Sequence, residues 1–379
     1  MVVGGSLGGL AAAHELRAAG ADVAVHERSA PRTPAHGAGI VVRPDIEALL
    51  HRLGVPVEAV AVELYESRRL DVDGRAVREE APQWMTAWDV LHRVLREPLA
   101  DVCHRLDGAL RRVRVEGHEV TAEFSDGYTA HGNFLVGADG IGSATRRLLD
   151  PSFRPAYAGY VGWRGLEPES RLPGDLLELL SGRLTHFTSD GMQMLCSLVP
   201  GPGGELEKGA RRVNWVWYVN VAERDLPGLL PGRSARRSAS FLPPGDVPPE
   251  TAERVVREAE VSLPPALAEL VRLSDPFAQP VLDVPPWRMV ADHAALIGDA
   301  AGTVRPHTSV AASKAFGDAE GLATALLGWT PAQPLPAVAL EHWEVLRLDR
   351  LVTLAGTGRE LAAASGLGVG AGRTFFTGD

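Results

Sequence analysis

Three short stretches of this chain put small residues and carboxylates where they could grip a ligand rich in phosphate and hydroxyl groups. The first is Gly4-Gly5-Ser6-Leu7-Gly8-Gly9. It follows Val2-Val3 and leads into residues 10–19, a run of good helix formers stopped at Gly20. Small residues let the backbone approach a pyrophosphate, and the free N–H groups of the next helix point at the anion. Glu27 lies 23 positions after Gly4, at the end of the β-branched stretch 22–26. A carboxylate there accepts both hydroxyls of an unphosphorylated ribose, as in FAD or NAD. Ser6 takes the place of the usual second glycine, and its hydroxyl is small enough to meet a phosphate. The plainer alternative is a glycine turn that only permits tight helix–strand packing.

The second stretch is Phe134-Leu-Val-Gly-Ala-Asp139-Gly140-Ile-Gly-Ser143, followed by Arg146. The third is Ala295-Leu-Ile-Gly298-Asp299-Ala-Ala, followed by Arg305-Pro306-His307. Each reads as an apolar strand ending in a Gly/Asp turn ahead of a helix. A buried Asp at such a turn needs a donor, and a sugar or polyol hydroxyl is one. Taken singly, each Asp fits a helix N-cap better. The three in this order are specific. The first turn also spells G-x-S-x-G, the elbow of serine hydrolases, with His307 as the available base. An elbow needs a sheet and an oxyanion loop before it, and only three residues precede this one.

The elements around these turns indicate an α/β chain. Residues 2–28 form a strand–turn–helix–strand unit. Interior strands have about five residues, so a start upstream of Met1 is expected. Residues 64–87 and 153–222 alternate like antiparallel strands. Residues 224–250 read as a long Pro/Gly/Arg-rich loop, a lid or an insertion. Residues 251–272 look helical, strands and helices resume after Pro285-Pro286 and reach about Leu354, and the tail from Gly356 is expected to be partly mobile. The expected organisation is a Rossmann-like domain at 1–63, 88–150 and 276–379. It is interrupted by a β-rich domain at 64–87 and 151–275 and closed by C-terminal helices.

Composition narrows the function classes. The 379 residues carry 38 Lys+Arg against 48 Asp+Glu, a net charge of −10, with no basic run to neutralise phosphates, so a nucleic-acid partner is not expected. Two cysteines, Cys103 and Cys196, form no CxxC, which excludes a disulfide scaffold and a thiolate zinc site; no metal is expected. No stretch approaches the ~20 apolar residues of a membrane span. A cytoplasmic protein without a membrane partner is the expectation.

With its three turns in this order, the chain resembles the group A flavoprotein aromatic hydroxylases, the family of p-hydroxybenzoate and salicylate hydroxylases. Gly39-Ile-Val-Val42, Tyr157-Ala-Gly-Tyr160, Trp163-Arg-Gly165, Trp217-Tyr218 with Asn220-Val-Ala-Glu223, Arg305-Pro-His307 and Lys314 extend the likeness over about residues 1–355. The resemblance implies non-covalent FAD. Gly4, Ser6, Leu7, Gly8 and Gly9 would cradle its pyrophosphate, Glu27 with Arg28 beside it would hold the adenosine ribose, and Gly298 with Asp299 would take a ribityl hydroxyl. Asp139 and Gly140 belong to a motif shared between FAD and NAD(P)H, and Arg93 sits near where relatives place a flavin-binding arginine. Relatives end the third region with Pro-Pro-x-x-Gly-x-Gly, where this chain has Arg305 to Ala311. Pro306, Val310, Ala311 and Ala312 would bring the start of a helix near Ser309 to the flavin, favouring negative charge on the reduced ring.

The implied reaction uses NAD(P)H as a transient reductant and O2, and hydroxylates an electron-rich hydroxypyridine or phenol through a flavin C4a-hydroperoxide. The β-rich domain would roof the ring against water. His307 is the candidate catalytic residue, binding or deprotonating the substrate hydroxyl; a loop histidine capping the next helix is the alternative. Trp215, Trp217 and Val219 share one face of their strand, and Asn214, Val216 and Tyr218 the other; which face meets substrate stays open. Arg164 is a candidate for binding an anionic substrate. A homodimer is one assembly open to the chain. A flavin dehydrogenase, reductase or halogenase on the same scaffold remains as an alternative, the halogenase wanting a lysine near the ring, for which Lys314 is the one available.

Overall fold

The computed structural model describes residues 1–28, 39–102, 104–105, 108–230, 242 and 245–377. Cys103 and part of the loop expected at 224–250 (residues 231–241 and 243–244) lie outside the described residues.

The three turns are brought together by one sheet. Its six strands run in the order Val290–Ala291, Ala294–Leu296, Leu135–Gly137, Val2–Val3, Val25–His26, His104–Arg105. All neighbours but the first pair are parallel, with Val3 opposite both Gly137 and His26, and Gly137 opposite Leu296. In a parallel sheet all the C-terminal ends lie on one edge. Gly4, Glu27, Ala138-Asp139 and Ile297-Gly298-Asp299 therefore leave the sheet side by side, where ligands of open α/β sheets bind. Val2, Val25, Leu135, Val136 and Leu296 are buried, as expected of strands covered on both faces.

A second sheet of eight strands has the order Phe277–Asp283, Ala156–Pro168, Arg212–Asn220, Met192–Val199, Arg183–Ser189, Val62–Leu70, Ala76–Ala87, Gly39–Val41. Its pairings are antiparallel except that of Arg183–Ser189 with Val62–Leu70. The strand Arg212–Asn220 is buried throughout, so its alternation separates two covered faces rather than core from solvent. A small antiparallel sheet, Leu110–Glu116, Glu119–Phe124 and Thr129–Gly132, completes the strands.

Three local expectations are revised. Residues 251–272 form two helices, Pro249–Ser262 and Pro265–Arg272, because Pro264 has no N–H to continue the first. The helix expected near Ser309 begins at Ala311, after Ser309 itself takes a left-handed φ of 55°. The tail expected to be partly mobile is packed against the body as far as residue 377. The helix Ala337–Ala364 runs past Gly356, and Asn220 then holds the following strap. Its amide donates to the carbonyls of Gly366, Ala371 and Arg373 at 2.7, 2.6 and 3.1 Å, and its Oδ1 accepts from Gly368 N–H at 2.9 Å. Phe375 and Phe376 end the strap buried against Trp163 and Trp217.

Candidate active site

Close approach of backbone explains the first turn. Gly4 has φ +107°, and a Cβ there would lie 2.4 Å from the Ala138 carbonyl oxygen. A Cβ on Gly9 would lie 1.8 Å from the oxygen of Gly4. Those two glycines let the helix Leu7–Ala18 start directly on the strand. Ser6 is its N-cap, exposed, and its hydroxyl makes no capping bond. Leu7 is buried in the core and Gly8 abuts Ala315 on the helix Ala311–Ala325, so these two offer the site only backbone. Glu27 accepts from Gly5 N–H at 2.7 Å. His92 reaches the Gly5 carbonyl at 3.0 Å and is kept neutral by burial. Gly4, Ser6, Glu27, Arg28, Asp139 and Gly140 all line one cavity of about 240 Å³.

Asp139 is a helix cap as well as a wall of that cavity. Its carboxylate accepts from Ser143 Oγ at 2.5 Å and from the N–H groups of Ala144 and Thr145 at 2.7 and 3.0 Å. Arg146, on the helix so capped, is buried and crosses to the third turn, donating to the Ala301 and Pro285 carbonyls, both at 2.9 Å. The second turn thus fixes the third.

Beneath the third turn lies a buried ionic cluster. Lys314 donates to Gly298 O and to Asp318 Oδ2, each at 2.8 Å; Asp318 also accepts from Gly298 N–H at 3.0 Å and from Arg347 Nε at 2.7 Å. This holds Gly298 at φ +58° and turns Asp299 into a second cavity. Burial raises the Asp299 carboxyl above its ordinary range against the pull of Lys314, and Asp318 adds to the rise.

The second cavity, about 170 Å³, runs from Asp299 and Ala311 past Pro306 to Arg164, Tyr218 and Gln279. Gly140 lines the first cavity and its chain neighbour Ile141 the second, so the two adjoin. The helix Ala311–Ala325 opens here from Val310 without a side-chain cap, and Ala312 is half-buried in its first turn. Tyr218 lines the cavity, which assigns the face of Arg212–Asn220 that carries Asn214, Val216 and Tyr218 to it; the tryptophan face packs as core.

His307 does not line this cavity. It packs edge-on against Tyr218 with ring centres 4.8 Å apart, and both its nitrogens are engaged: Nδ1 with Gln193 Oε1 at 2.7 Å and Nε2 with the Tyr160 hydroxyl at 3.0 Å. Burial, then the Arg305 charge, lowers its pKa to about 4. Burial opposes the Arg305 charge, but Asp283 grips the guanidinium at 3.0 and 2.7 Å and raises its pKa. Arg93 also lies away from both cavities, half-buried and donating to the Pro202 and Gly203 carbonyls at 3.1 and 2.8 Å. Gln193 and Tyr160 carry no local sequence signal, since their bonds to His307 span 114 and 147 positions; the Lys314–Asp318 pair is an i,i+4 contact on one helix, but its grip on Gly298 spans 16.

A family model described as FAD binding domain matches residues 1–200, and one described as FAD binding domain-like matches residues 157–283. The chain is 32% identical to 2,6-dihydroxypyridine 3-monooxygenase of Paenarthrobacter nicotinovorans, over 92% of this chain and 87% of that protein. This chain belongs to the FAD-dependent aromatic hydroxylases. It is also 27% identical to 6-hydroxynicotinate 3-monooxygenase of Pseudomonas fluorescens, over 86% of this chain and 81% of that one. The solved structure of 2,6-dihydroxypyridine-3-hydroxylase from Arthrobacter nicotinovorans superposes with a TM-score of 0.89 at 30% identity, covering 96% of this chain and 91% of that one. The residues present fit FAD: a first cavity lined by Gly4, Ser6 and Glu27 at the start of a helix packed tightly onto its strand, then a half-buried carboxylate and an uncapped helix start one cavity further on. The halogenase alternative loses its lysine, because Lys314 is committed to Gly298 and Asp318.

Proposed function

We propose that this hydroxylase acts on a small hydroxypyridine or phenol, with NAD(P)H as transient reductant and O2 as oxygen source. The balance is one ring C–H, O2, NAD(P)H and a proton giving ring C–OH, water and NAD(P)+. FAD, when bound, would supply the two-electron redox chemistry between reductant and O2.

The chain's own part is to bind, orient and keep water out. Gly4, Ser6, Leu7, Gly8 and Gly9 offer backbone N–H groups and one hydroxyl to the pyrophosphate, with Glu27 and Arg28 at the adenosine end and Asp139-Gly140 alongside. Gly298, Asp299, Pro306, Val310, Ala311 and Ala312 serve the other end, where the helix start favours negative charge. Arg93, spent on two carbonyls, steadies the 201–204 turn. Residues 1–63, 88–150 and 276–379 act as the cofactor domain, and 64–87 with 151–275 as the roof. Residues 280–282 and 304 give the second cavity an apolar wall, which protects the reacting centre from water.

His307, neutral above pH 4, accepts a hydrogen bond from the Tyr160 hydroxyl and braces Tyr218. It acts on the substrate by positioning these phenols rather than by direct proton abstraction. The proposed compartment is the cytoplasm; among the described residues no helix is long and apolar enough to cross a membrane; a homodimer is the assembly we would test first.

One observation carries this reading: three turns far apart in sequence leave one sheet edge together and line two adjoining cavities. The test is purification of a yellow protein whose NAD(P)H oxidation is stimulated by hydroxypyridines or phenols, with a product one oxygen heavier. Stimulated oxidation that yields H2O2 alone would move the assignment to a reductase.

A further inference from the structure

The C-terminal helix has an open side built like one half of a helix pair. Ala337–Ala364 has 28 residues and is about 42 Å long. Trp343, Leu351, Ala355 and Ala362 are buried on its inner face. Its outer face carries Val338, Val345 and Val352, exposed by 81, 60 and 55%. Seven residues apart, they form one row along the helix, the spacing of a coiled-coil seam. Beside it runs a second row with the same spacing, Asp349, Gly356 and Ala363. Gly356 has no role within one copy. Glycine is a poor helix former, and a Cβ there would meet nothing within 4 Å. Gly358, on the inner face, differs: a Cβ would lie 3.1 Å from the Arg305 backbone nitrogen. A bare backbone on the outer face lets another chain approach closely.

We propose that this face binds a second copy of the chain, the two C-terminal helices lying antiparallel about a two-fold axis at their midpoints. The helix is self-complementary in that arrangement. Val338 meets the partner's Ala363, Val345 the partner's Gly356 and Val352 the partner's Asp349, so each row packs against the other. On one flank Glu341 faces the partner's Arg359, and on the other His342 faces the partner's Glu360. These four residues are exposed and, among the described residues, make no ion pair within their own chain. Asp349 is the charged position inside the seam, a kind of insert that fixes register at a cost in stability. The contact is isologous and closes at two copies. A seam one helix wide is small beside the roughly 1,600 Å² of a standard interface, so the dimer should dissociate in the micromolar range. The proposal gives an interface to the homodimer named above and is independent of the hydroxylase reading.

The test is sedimentation velocity of the FAD-loaded protein from low to high micromolar concentration. Wild type should pass from monomer to dimer across the series. Val345→Glu and Gly356→Leu change positions open to solvent, so each should melt as wild type does while weakening the dimer by roughly tenfold or more. Glu341→Arg and Arg359→Glu should each weaken it by roughly 2- to 30-fold, because the pair occurs twice per dimer. Combined, they should restore it. The proposal is overturned if wild type stays monomeric throughout, which would leave the face to a different partner. It is equally overturned if Val345→Glu and Gly356→Leu dimerise as wild type does, or if the two charge reversals add instead of cancelling. Failure of the hydroxylase reading looks different: a dimer that these variants dissociate, yet no flavin reduction by NAD(P)H and no oxygenated product with any ring.

Discussion

The Tyr160 hydroxyl lies 3.0 Å from Nε2 of His307, and both rings are withdrawn from solvent. Burial raises the Tyr160 pKa and lowers that of His307 to about 4, so the phenol donates and the imidazole accepts. A histidine whose folded pKa lies below its unfolded value binds fewer protons folded than unfolded, so its stability contribution is intact above pH 6.5 and is lost as pH falls towards 4. At roughly 1.4 kcal/mol per pH unit, the loss at pH 4 is about 3 kcal/mol. Urea denaturation between pH 4 and 8 should therefore show a shallower acid slope for His307→Asn than for wild type. Parallel curves would mean that the two states protonate His307 alike.

The glycines of the first turn should differ sharply in tolerance. Gly9→Ala drives a methyl to 1.8 Å from the Gly4 oxygen, and Gly4→Ala combines a 2.4 Å clash with a left-handed φ. Each adds strain of about 1–3 kcal/mol or more to the cradle, and FAD retained on purification should fall at least tenfold. Gly8→Ala meets only the Ala315 methyl at 3.2 Å and should keep its flavin. Equal flavin content in all three variants would separate the turn from cofactor binding.

This contrast also marks how much could be read from sequence. Gly4, Glu27, Asp139 and Asp299 were legible because each ends a short apolar strand, and local pattern reports strand ends well. Their convergence follows from parallel pairing alone. Tyr218 was placed on one of two faces, but alternation cannot choose between two covered faces. Arg93 and His307 stand at suggestive positions in the chain, yet they bond Pro202, Gly203, Gln193 and Tyr160, partners more than 100 residues away. The tail looked mobile because glycine-rich composition is local, whereas the Asn220 side chain that fixes it lies about 150 positions earlier.

Lys314→Met should destabilise through Asp318. Both members of the pair are almost fully buried, and removing the ammonium strands a carboxylate that Arg347 alone must then neutralise. Breaking such a pair costs about 3–5 kcal/mol. Because Lys314 also holds the Gly298 carbonyl, FAD affinity should weaken along with thermal stability. An unchanged melting temperature would show that the cluster does not support the turn.

Ser309, two residues before the helix Ala311–Ala325, adopts φ +55°. A left-handed conformation costs an L-residue roughly 1–2 kcal/mol, partly offset by the extra freedom glycine brings to the unfolded chain. Ser309→Gly should therefore be neutral to stabilising, by up to about 1 kcal/mol, and keep activity. A clear loss of stability in chemical denaturation would assign the serine hydroxyl a contact of its own.

The C-terminal strap should govern how tightly the roof is held. Asp190 accepts from Arg373 N–H at 3.0 Å, and the same hairpin carries Gln193, the Nδ1 partner of His307. Phe376 is buried against Trp163 and Trp217, and truncating a buried phenylalanine costs about 3–5 kcal/mol. Asn220→Ala removes four hydrogen bonds, each contributing about 0.5–1.5 kcal/mol. Both variants should melt earlier, and Asn220→Ala should also release more H2O2 per NAD(P)H consumed, because a looser hairpin lets water reach the reacting centre. Lowered stability with the wild-type ratio of product to H2O2 would confine the strap to a structural role.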